Sequence, residues 1–496
     1  MNSPKKITKR TKYLITLTVM LVTILEVLDM TIVNVALPPM MGSLGANTEE
    51  ITWVLTSYIV SAAILMPLTG WLIERLGQRT LLIGNIIGFC LSSMLCGMAL
   101  SLSQMVIFRT LQGVFGASLV PLSQFILRNT YDKNEQGKAM ALWGMGVMVA
   151  PVLGPTLGGY ITEALSWRWI FFINLPVCCV AFMLTLSFIK QTPSQKKSID
   201  KLGLSLLIIT IASLQLFLDQ GNSHDWFEST FITFLFTLML LTSLIFIVRG
   251  LKFKDNIIDL SIFFNRNFAI CSVLILGYMV SLFGVIALQP MLLENLLNYP
   301  IAYTGLIMAP RGLASAFTMA MAAVLMKKVA PKKLIILGLF ISFIGGQWLS
   351  SFQLGTSEFT MILNGIVQGI GMGFFFVPVS TLALSTLSQQ KTGEASGLFS
   401  LARSMGSSIG IAMMSMLASR QTQIHYHTLA ANITLSNPNL KSLLATQQAM
   451  NMNETIALKL IEKKVLLQAN FNAFINCFLL SSYGFLILIP LVFLLD

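Results

Sequence analysis

Two carboxylates three residues apart are the first candidates for chemistry in this chain. Glu26 and Asp29 lie in the stretch TILEVLDMTIVNVALPP, within the first long apolar run. A charged side chain near the centre of a membrane span costs about 2.5–3.5 kcal/mol, so it normally faces an aqueous cavity or a partner. Because residues three apart share one helix face, both acids are predicted to face the same interior space.

Arg109, in the fourth apolar run, is the predicted partner of Asp29. At about 1.5 Å per residue, counted from the ends of two oppositely directed spans, both charges fall at a similar depth. A neighbouring cation favours the ionised carboxylate and desolvation favours the protonated one, so such a pair is able to exchange a proton. Two interpretations stay open: a proton-coupling pair, or a static pair that only fixes helix packing.

Three further charges are assigned to a predicted substrate cavity. Glu26 is either a second protonatable or cation-recognising group, or a polar lining residue without a coupling role. Arg311 and Arg403 lie near mid-depth in the second half of the chain, where no acid is found at that depth. They bind anionic substrate groups or cavity waters, or they donate to backbone carbonyls at helix breaks. The predicted cavity comprises Glu26, Asn34, Gln112, Arg311 and Arg403.

Other reactive patterns are missing from the sequence. It contains no phosphate-binding loop, no nucleophile elbow and no run of residues with metal-ligand spacing. All six cysteines fall in apolar runs, where they behave as small apolar side chains. We therefore expect no cofactor, no metal site and no enzymatic activity.

The composition identifies the elements that must hold these charges. Of 496 residues, 55% are hydrophobic and 10% are charged, whereas soluble domains carry about 25% charged residues. A span needs about 20 apolar residues, and fourteen such runs predict an all-α polytopic membrane protein. The predicted spans are 13–41, 51–73, 80–100, 104–128, 139–162, 168–189, 202–219, 229–248, 267–292, 301–326, 334–353, 358–387, 394–419 and 470–494.

The net charge of +12 reflects membrane topology rather than nucleic-acid binding. Most of the 32 lysines and arginines fall at the N-terminus and in every second loop, as in KKITKRTK, KKSIDK and KKVAPKK. Cytoplasmic loops carry such an excess of Lys and Arg. The pattern predicts that both termini lie in the cytoplasm and that the bilayer, not nucleic acid, is the partner.

Internal repetition predicts two halves and an insert. At an offset of 256 residues, Gln112-Gly113 matches Gln368-Gly369, and ALPPM at 36–40 resembles ALQPM at 287–291. We predict a six-helix bundle over 1–200, two inserted helices with an inner loop over 201–265, and a second six-helix bundle over 266–496. Residues 420–469 are predicted as a polar outer loop containing an amphipathic helix. Related halves usually place the substrate at their interface and alternate its access by rocking.

Several motifs, taken in order, resemble the major facilitator superfamily in its fourteen-helix drug:proton antiporter branch, the EmrB/QacA type. LDMTIVNVALP at 28–38 is similar to the first-helix signature of that branch, and Asp29 falls on its acid. RTLQGVFGA places Arg109 on the fourth-helix motif, and WRWIFFINLP at 167–176 is similar to the start of helix six. The resemblance covers almost the whole chain.

Two further motifs carry residue roles that the resemblance implies. GWLIERLGQR resembles the gating loop between helices two and three, although Glu74 stands where Asp is usual; its matching residues are Gly70, Glu74, Arg75, Gly77 and Arg79. WGMGVMVAPVLGPTLGGYI resembles the antiporter motif, a smooth, kinked helix suited to a moving interface between halves. Its matching residues are Gly146, Pro151, Gly154, Pro155, Gly158 and Gly159.

The resemblance implies a secondary active transporter that exports small lipophilic drugs or toxic compounds in exchange for protons. Its expected place is the cytoplasmic (inner) membrane of a bacterium. In Gram-negative members of the branch such a pump works with a periplasmic adaptor, a membrane fusion protein, and an outer-membrane channel. The alternative that stays open is a proton-coupled exporter of one specific metabolite or siderophore.

Overall fold

In the computed structural model, fourteen long helices follow one another along the described chain, which covers residues 8–47, 50–132, 135–194, 200–252, 258–388, 391–431, 433 and 454–495. Twelve of them are long and apolar enough to cross a membrane; α5 and α13 lie outside that set. The helices are α1 Lys9–Leu44, α2 Glu50–Leu76, α3 Gln78–Met98, α4 Leu102–Thr130, α5 Gln136–Ala164, α6 Trp169–Phe188, α7 Lys201–Gln220, α8 Thr230–Lys252, α9 Arg266–Leu296, α10 Ile301–Leu325, α11 Pro331–Leu349, α12 Glu358–Ser385, α13 Thr392–Ala431 and α14 Glu454–Ile487.

Local sequence signals set the ends of the helices that carry the candidate charges. Thr8 caps the start of α1 by accepting the backbone N–H of Thr11 at 3.3 Å. Gly45 ends α1 in the left-handed conformation at φ 65°, where a residue without a Cβ pays no steric cost. Ser101 caps α4 by accepting the N–H of Gln104. These caps fix the spans between which Asp29 and Arg109 meet.

The first helix lies at the centre of the N-terminal bundle. α1 packs along α5 and also contacts α4 and α6. α5 in turn packs along α10, and α10 along α12. A chain of helix contacts therefore runs from the helix of Asp29 to the C-terminal bundle, and the described residues confirm the prediction of an all-α protein.

The predicted inserted pair lies at the side of the structure. α7 and α8 pack mainly on each other, and α7 also touches α2 and α13. Only Ile232, Leu235 and Thr242 are buried within α8, so that helix presents most of its apolar surface outward. The pair adds little to the core, although the domain division itself stays a prediction.

One close helix approach recurs at the repeat offset of 256 residues. A Cβ on Gly113 would meet the carbonyl oxygen of Tyr58, and a Cβ on Gly369 would meet the carbonyl oxygen of Arg311. Only a residue without a side chain allows these backbones to come so near. The recurrence agrees with the predicted duplication: Arg311 makes the backbone contact that Tyr58 makes in the first half, although these two residues are 253 rather than 256 positions apart.

The two bundles are closed against each other at the end that carries the basic loops, which we call the basic end. A Cβ on Gly70 of α2 would lie 2.6 Å from Cα of Glu394, at the start of α13. A Cβ on Gly397 would lie 2.7 Å from the carbonyl oxygen of Met66. Arg128 of α4 also donates to the carbonyl of Leu387 at 2.8 Å. Little space is left between the bundles at this end.

The predicted outer loop 420–469 is largely a continuation of two membrane helices. Residues 420–431 belong to α13 and residues 454–469 belong to α14, while 434–453 lie outside the described residues. Thr422 donates to Asn470 at 3.0 Å, so the two extensions run side by side. The predicted amphipathic helix is therefore not separate from the last span, because no proline or glycine interrupts α14 before Gly484.

Candidate functional site

Asp29 lies in a closed polar centre formed by α1, α3, α4 and α6. Its Oδ2 accepts from Nη1 of Arg109 at 2.6 Å, and neither side chain is measurably exposed. Its Oδ1 accepts from the amides of Gln112 and Asn174, each at 2.9 Å. The ion pair predicted from helix depth is confirmed, and the carboxylate has three donors.

Arg109 is held from every side. Besides Asp29, it donates to Oε1 of Gln112 at 2.8 Å and, through Nε, to the carbonyl of Val54 at 3.1 Å. Its guanidinium also lies 4.2 Å from the ring centre of Tyr58, within the range of a cation–π contact. Loss of the Asp29 charge would therefore leave Arg109 with acceptors and an aromatic face.

Asn174 and Ser93 are the members of this centre that sequence reasoning missed. Asn174 bridges Asp29 to the Ser93 hydroxyl, which accepts from its amide at 3.0 Å and donates to the carbonyl of Phe171 at 2.9 Å. The signal was present, because Asn174 lies five residues into α6, at a depth similar to that of Arg109 in α4. The depth count was applied only to charged residues.

Glu26 is buried one turn from Asp29, but it does not join that centre. Its Oε2 has no hydrogen-bond partner in the part of the chain that the structure describes. The electrostatic influences on it come from Arg403 of α13 and from Asp29. Glu26 is therefore close enough to Asp29 and to Arg403 for both to act on it electrostatically, and its role stays a prediction.

A cavity lies between the two bundles, and the empty space in it, with the open solvent at its mouth included, is about 780 Å³. Val27 of α1 and Val147 and Pro151 of α5 line one side. The other side comes from α9, α10, α12 and α13 and consists of Phe283, Ile286, Pro290, Glu294, Thr304, Gly305, Met308, Arg311, Gly312, Ser315, Met372 and Arg403. An apolar wall with a few polar groups is typical of small-molecule sites.

Of the five predicted cavity residues, Arg311 and Arg403 are among those that line this space. Gln112 instead belongs to the Asp29 centre. Glu26 is not in the wall, because its neighbour Val27 is the α1 residue that faces the cavity. Asn34 is exposed and lies seven residues from Val27, on the same helix face but two turns nearer the end opposite the basic loops.

The residues of the predicted gating loop are braced mainly by the segment after α6. Gly77 has φ 78°, and its missing Cβ leaves room for Gln191 and the carbonyl of Thr192. Arg79 donates to the carbonyl of Leu186 at 2.8 Å. Arg75 lies over the Trp71 ring, Gly70 meets α13 as described, and Glu74 also has an interaction partner.

The glycines of the antiporter-like motif face α1 as much as the other bundle. A Cβ on Gly158 would lie 2.9 Å from the carbonyl of Ile32, one on Gly154 would meet Thr31, and one on Gly146 would lie 3.1 Å from Ile24. Gly159 is buried, Pro151 lines the cavity, and the Pro155 side chain lies outside the described residues. Contact with the second bundle comes instead from Gly144 against Met319 and from Thr156 against Gly305.

Comparisons with known proteins agree with this geometry. Residues 19–411 match the profile of the Major Facilitator Superfamily. The chain is 34% identical over 483 residues to the multidrug export protein EmrB of Escherichia coli K12, covering 97% of this chain and 94% of that protein. It is 35% identical over 484 residues to the fatty acid resistance protein FarB of Neisseria gonorrhoeae, covering 97% and 95%.

Among solved structures, the fold is similar to the human organic anion transporter MFSD10, with a TM-score of 0.64 at 14% identity, over 99% of this chain and 100% of that one. That likeness concerns the fold alone. The profile match over most of the chain and the relatives above 30% identity carry the assignment. The chain belongs to the major facilitator superfamily and, within it, to the EmrB type.

Proposed function

We propose that this protein is a proton-driven antiporter that exports lipophilic drugs or toxic compounds across the cytoplasmic membrane by alternating access. Relatives that carry the name multidrug export protein over nearly the whole length support export as the activity. The observation that carries the proton coupling is the Asp29 centre: a fully buried carboxylate paired with Arg109, on the helix whose Val27 lines a cavity between two bundles.

The proposed mechanism uses the two charge states of Asp29. When Asp29 is ionised, its pairing with Arg109 and its hydrogen bonds tie α1 to α4 and α6. A proton on Asp29 removes the ionic attraction. Arg109 keeps its hydrogen bonds to Gln112 and Val54 and its cation–π contact with Tyr58. α1 is then free to shift against its neighbours, and α5 carries the shift to α10.

Closure at the basic end supports the second half of the proposal. The contacts of Gly70 and Gly397 join α2 to α13 at that end, so the structure corresponds to a state in which cargo leaves toward the opposite side. Opening requires these glycine contacts to separate. The gating-loop and antiporter-motif residues are proposed to guide this movement, since both motifs lie at helix contacts that have little room for side chains.

The coupling is tested by transport into liposomes under an imposed proton gradient. Ethidium and 11-(dansylamino)undecanoate serve as two fluorescent cargos, so that the result does not depend on the sign of the cargo charge. Wild-type protein is expected to move at least one cargo with the gradient, and Asp29→Asn is expected to abolish gradient-driven movement. The asparagine cannot lose or gain a proton but keeps the size of the side chain.

Asp219→Asn is the control, because Asp219 is an exposed acid of α7 outside the site, and its carboxylate accepts from the Thr56 hydroxyl. It should transport like wild type. Equal gradient-driven transport by the wild type and Asp29→Asn would contradict the coupling role. An absence of gradient-driven transport of both cargos by wild-type protein would overturn the antiporter proposal.

Orientation and partners are also proposed. The basic end is assigned to the cytoplasm, with both termini there, because it carries the lysine- and arginine-rich loops. The paired extensions of α13 and α14 then lie on the outer side. A periplasmic adaptor that connects the pump to an outer-membrane channel would dock there. A cysteine introduced at Ile424 tests the orientation. An impermeant maleimide is added to cells whose outer membrane is permeabilised and whose inner membrane is intact, and labelling of the cysteine is measured.

A further inference from the structure

The cavity between the bundles contains a buried guanidinium that the protein leaves largely unsatisfied. Arg311 is 3% exposed and donates through Nη2 to the side-chain oxygen of Gln289. Its Nε and Nη1 have no acceptor among the described residues. Buried donors without a partner cost about 1–3 kcal/mol, and more when charged, so they call for an acceptor from outside the protein, such as water, an ion or a ligand.

A second arginine enters the same cavity from another helix. Arg403 of α13 lines the wall, and its buried Nε also lacks an acceptor in the described part of the chain. Glu26 attracts it electrostatically from α1, but the two side chains do not form an ion pair. Arg311 and Arg403 therefore present two cations to one space, and no carboxylate of the described residues forms an ion pair with either.

The remaining wall sets the shape of a matching ligand. Phe283, Ile286, Met308 and Met372 provide apolar and adaptable surface, and Thr304 adds a buried hydroxyl without a hydrogen-bond partner among the described residues. The planar guanidinium fork matches a carboxylate. A molecule with one carboxylate and an apolar body satisfies both parts of this wall.

One acid limits the total charge that the cavity accepts. Glu294 lines it on α9, five residues beyond Gln289 toward the end opposite the basic loops. At about 1.5 Å per residue, its backbone lies about 7–8 Å along the helix from the residue that touches Arg311. A second anionic group on the ligand would meet this carboxylate, so a single negative charge fits best.

We propose that the cavity selects amphipathic monoanions, whose carboxylate binds Arg311 with Arg403 as the second cation and whose apolar body packs on the methionine and phenylalanine wall. This inference rests on the proposed function, because it names the class of cargo that the exporter carries. Asp29 and Arg109 take no part in the selection, since each already pairs with the other.

Equilibrium binding without any gradient tests the proposal. Full-length protein in phosphatidylcholine nanodiscs is titrated with 11-(dansylamino)undecanoate and with its methyl ester, and the fluorescence of empty nanodiscs is subtracted. The two probes share one apolar body and differ in charge. Wild-type protein is expected to bind the acid at least about tenfold more tightly than the ester, as charge-assisted hydrogen bonds imply.

Substitutions assign that preference to the cavity. Arg311→Gln is expected to reduce acid binding to the level of the ester while leaving ester binding unchanged. Arg168→Gln is the matched control, because Arg168 donates to the carbonyl of Ala99 outside the cavity. Glu294→Gln is expected to tighten acid binding by a few fold and to leave the ester unaffected. A thermal-unfolding midpoint for each variant separates lost selectivity from lost folding.

Three results would overturn the inference: equal affinity of wild type for acid and ester, an unchanged preference in a folded Arg311→Gln protein, or no saturable binding of either probe. The two proposals fail separately. If the acid is preferred but Asp29→Asn still couples transport to the gradient, the coupling proposal fails and the cargo class stands. If Asp29→Asn abolishes ethidium transport but acid and ester bind equally, only the cargo class fails.

Discussion

The two polar centres of this molecule hold their arginines in opposite ways. In the N-terminal bundle, Arg109 is fully paired with Asp29, Gln112, a backbone carbonyl and the face of Tyr58. In the C-terminal bundle, Arg311 has a single amide acceptor, and two of its donors lack a partner among the residues that the structure describes. One centre is complete within the protein, whereas we propose that a ligand completes the other.

The internal repeat makes this comparison sharper. Gly365 occupies the position that repeats Arg109 at the offset of 256 residues, and Arg311 makes the contact with Gly369 that Tyr58 makes with Gly113. The C-terminal bundle thus has an arginine where the N-terminal bundle has the aromatic ring that covers one. From two related scaffolds we infer a division of labour, with reversible protonation assigned to one centre and recognition of cargo charge to the other.

Removing each arginine in turn tests the comparison with the largest expected effect. Arg109→Gln leaves the buried Asp29 carboxylate without its counter-ion, which should lower the free energy of unfolding by about 3–5 kcal/mol. Arg311→Gln removes a buried cation that lacks an ionic partner, so its cost should be within about 1 kcal/mol or of opposite sign. Thermal unfolding of the purified variants in one detergent measures the difference.

A second substitution shows whether the Arg109 loss acts through Asp29. Adding Asp29→Asn to Arg109→Gln removes the unpaired charge, so much of the lost stability should return. A coupling energy of about 0.5–3 kcal/mol is typical of residues that share one network. Additive losses in the double variant, or equal losses for Arg109→Gln and Arg311→Gln, would remove the distinction between the two centres.

Gln289→Glu gives the C-terminal centre the acid that it lacks. The new carboxylate would accept from Arg311 where the amide oxygen does so now, and hydrogen bonds to charged groups contribute about 1.5–3 kcal/mol. We expect a higher unfolding midpoint together with loss of the preference for the dansyl acid over its ester. Gln289→Met, which removes the acceptor without adding charge, is the control and should keep the preference.

Sequence reasoning located the Asp29 centre because depth in a membrane depends only on helix length and direction. Apolar runs set the span limits, and a rise of about 1.5 Å per residue then brings Asp29 and Arg109 to one level. Both helices form near the predicted positions, and the charges are 2.6 Å apart. The same count, extended to amides, would have added Asn174.

Contacts that depend on helix rotation were beyond that reasoning. Whether Glu26 or Val27 faces the cavity is decided by about 100° of rotation around α1, and the structure places Val27 in the wall. The hydrogen bond between Gln289 and Arg311 joins two helices whose relative rotation no single-helix pattern reports. For the same reason the glycines of α5 were assigned to the interface between halves, although three of them meet α1.

The smallest expected effect tests how the backbone positions Arg311. A Cβ on Gly369 would collide with the Arg311 carbonyl, whereas a Cβ on Gly365 would lie 3.6 Å from the Arg311 Cβ, an ordinary contact. Gly369→Ala should therefore cost about 1–3 kcal/mol through overpacking, and Gly365→Ala should be neutral or should gain up to about 1 kcal/mol from helix propensity. Equal midpoints for the two variants in thermal unfolding would mean that α12 and α10 can separate freely at Arg311. The Arg311 guanidinium, which has no ionic partner among the described residues, would then be a mobile group. If only Gly369→Ala lowers the unfolding midpoint, the backbone holds the guanidinium in place for its ligand.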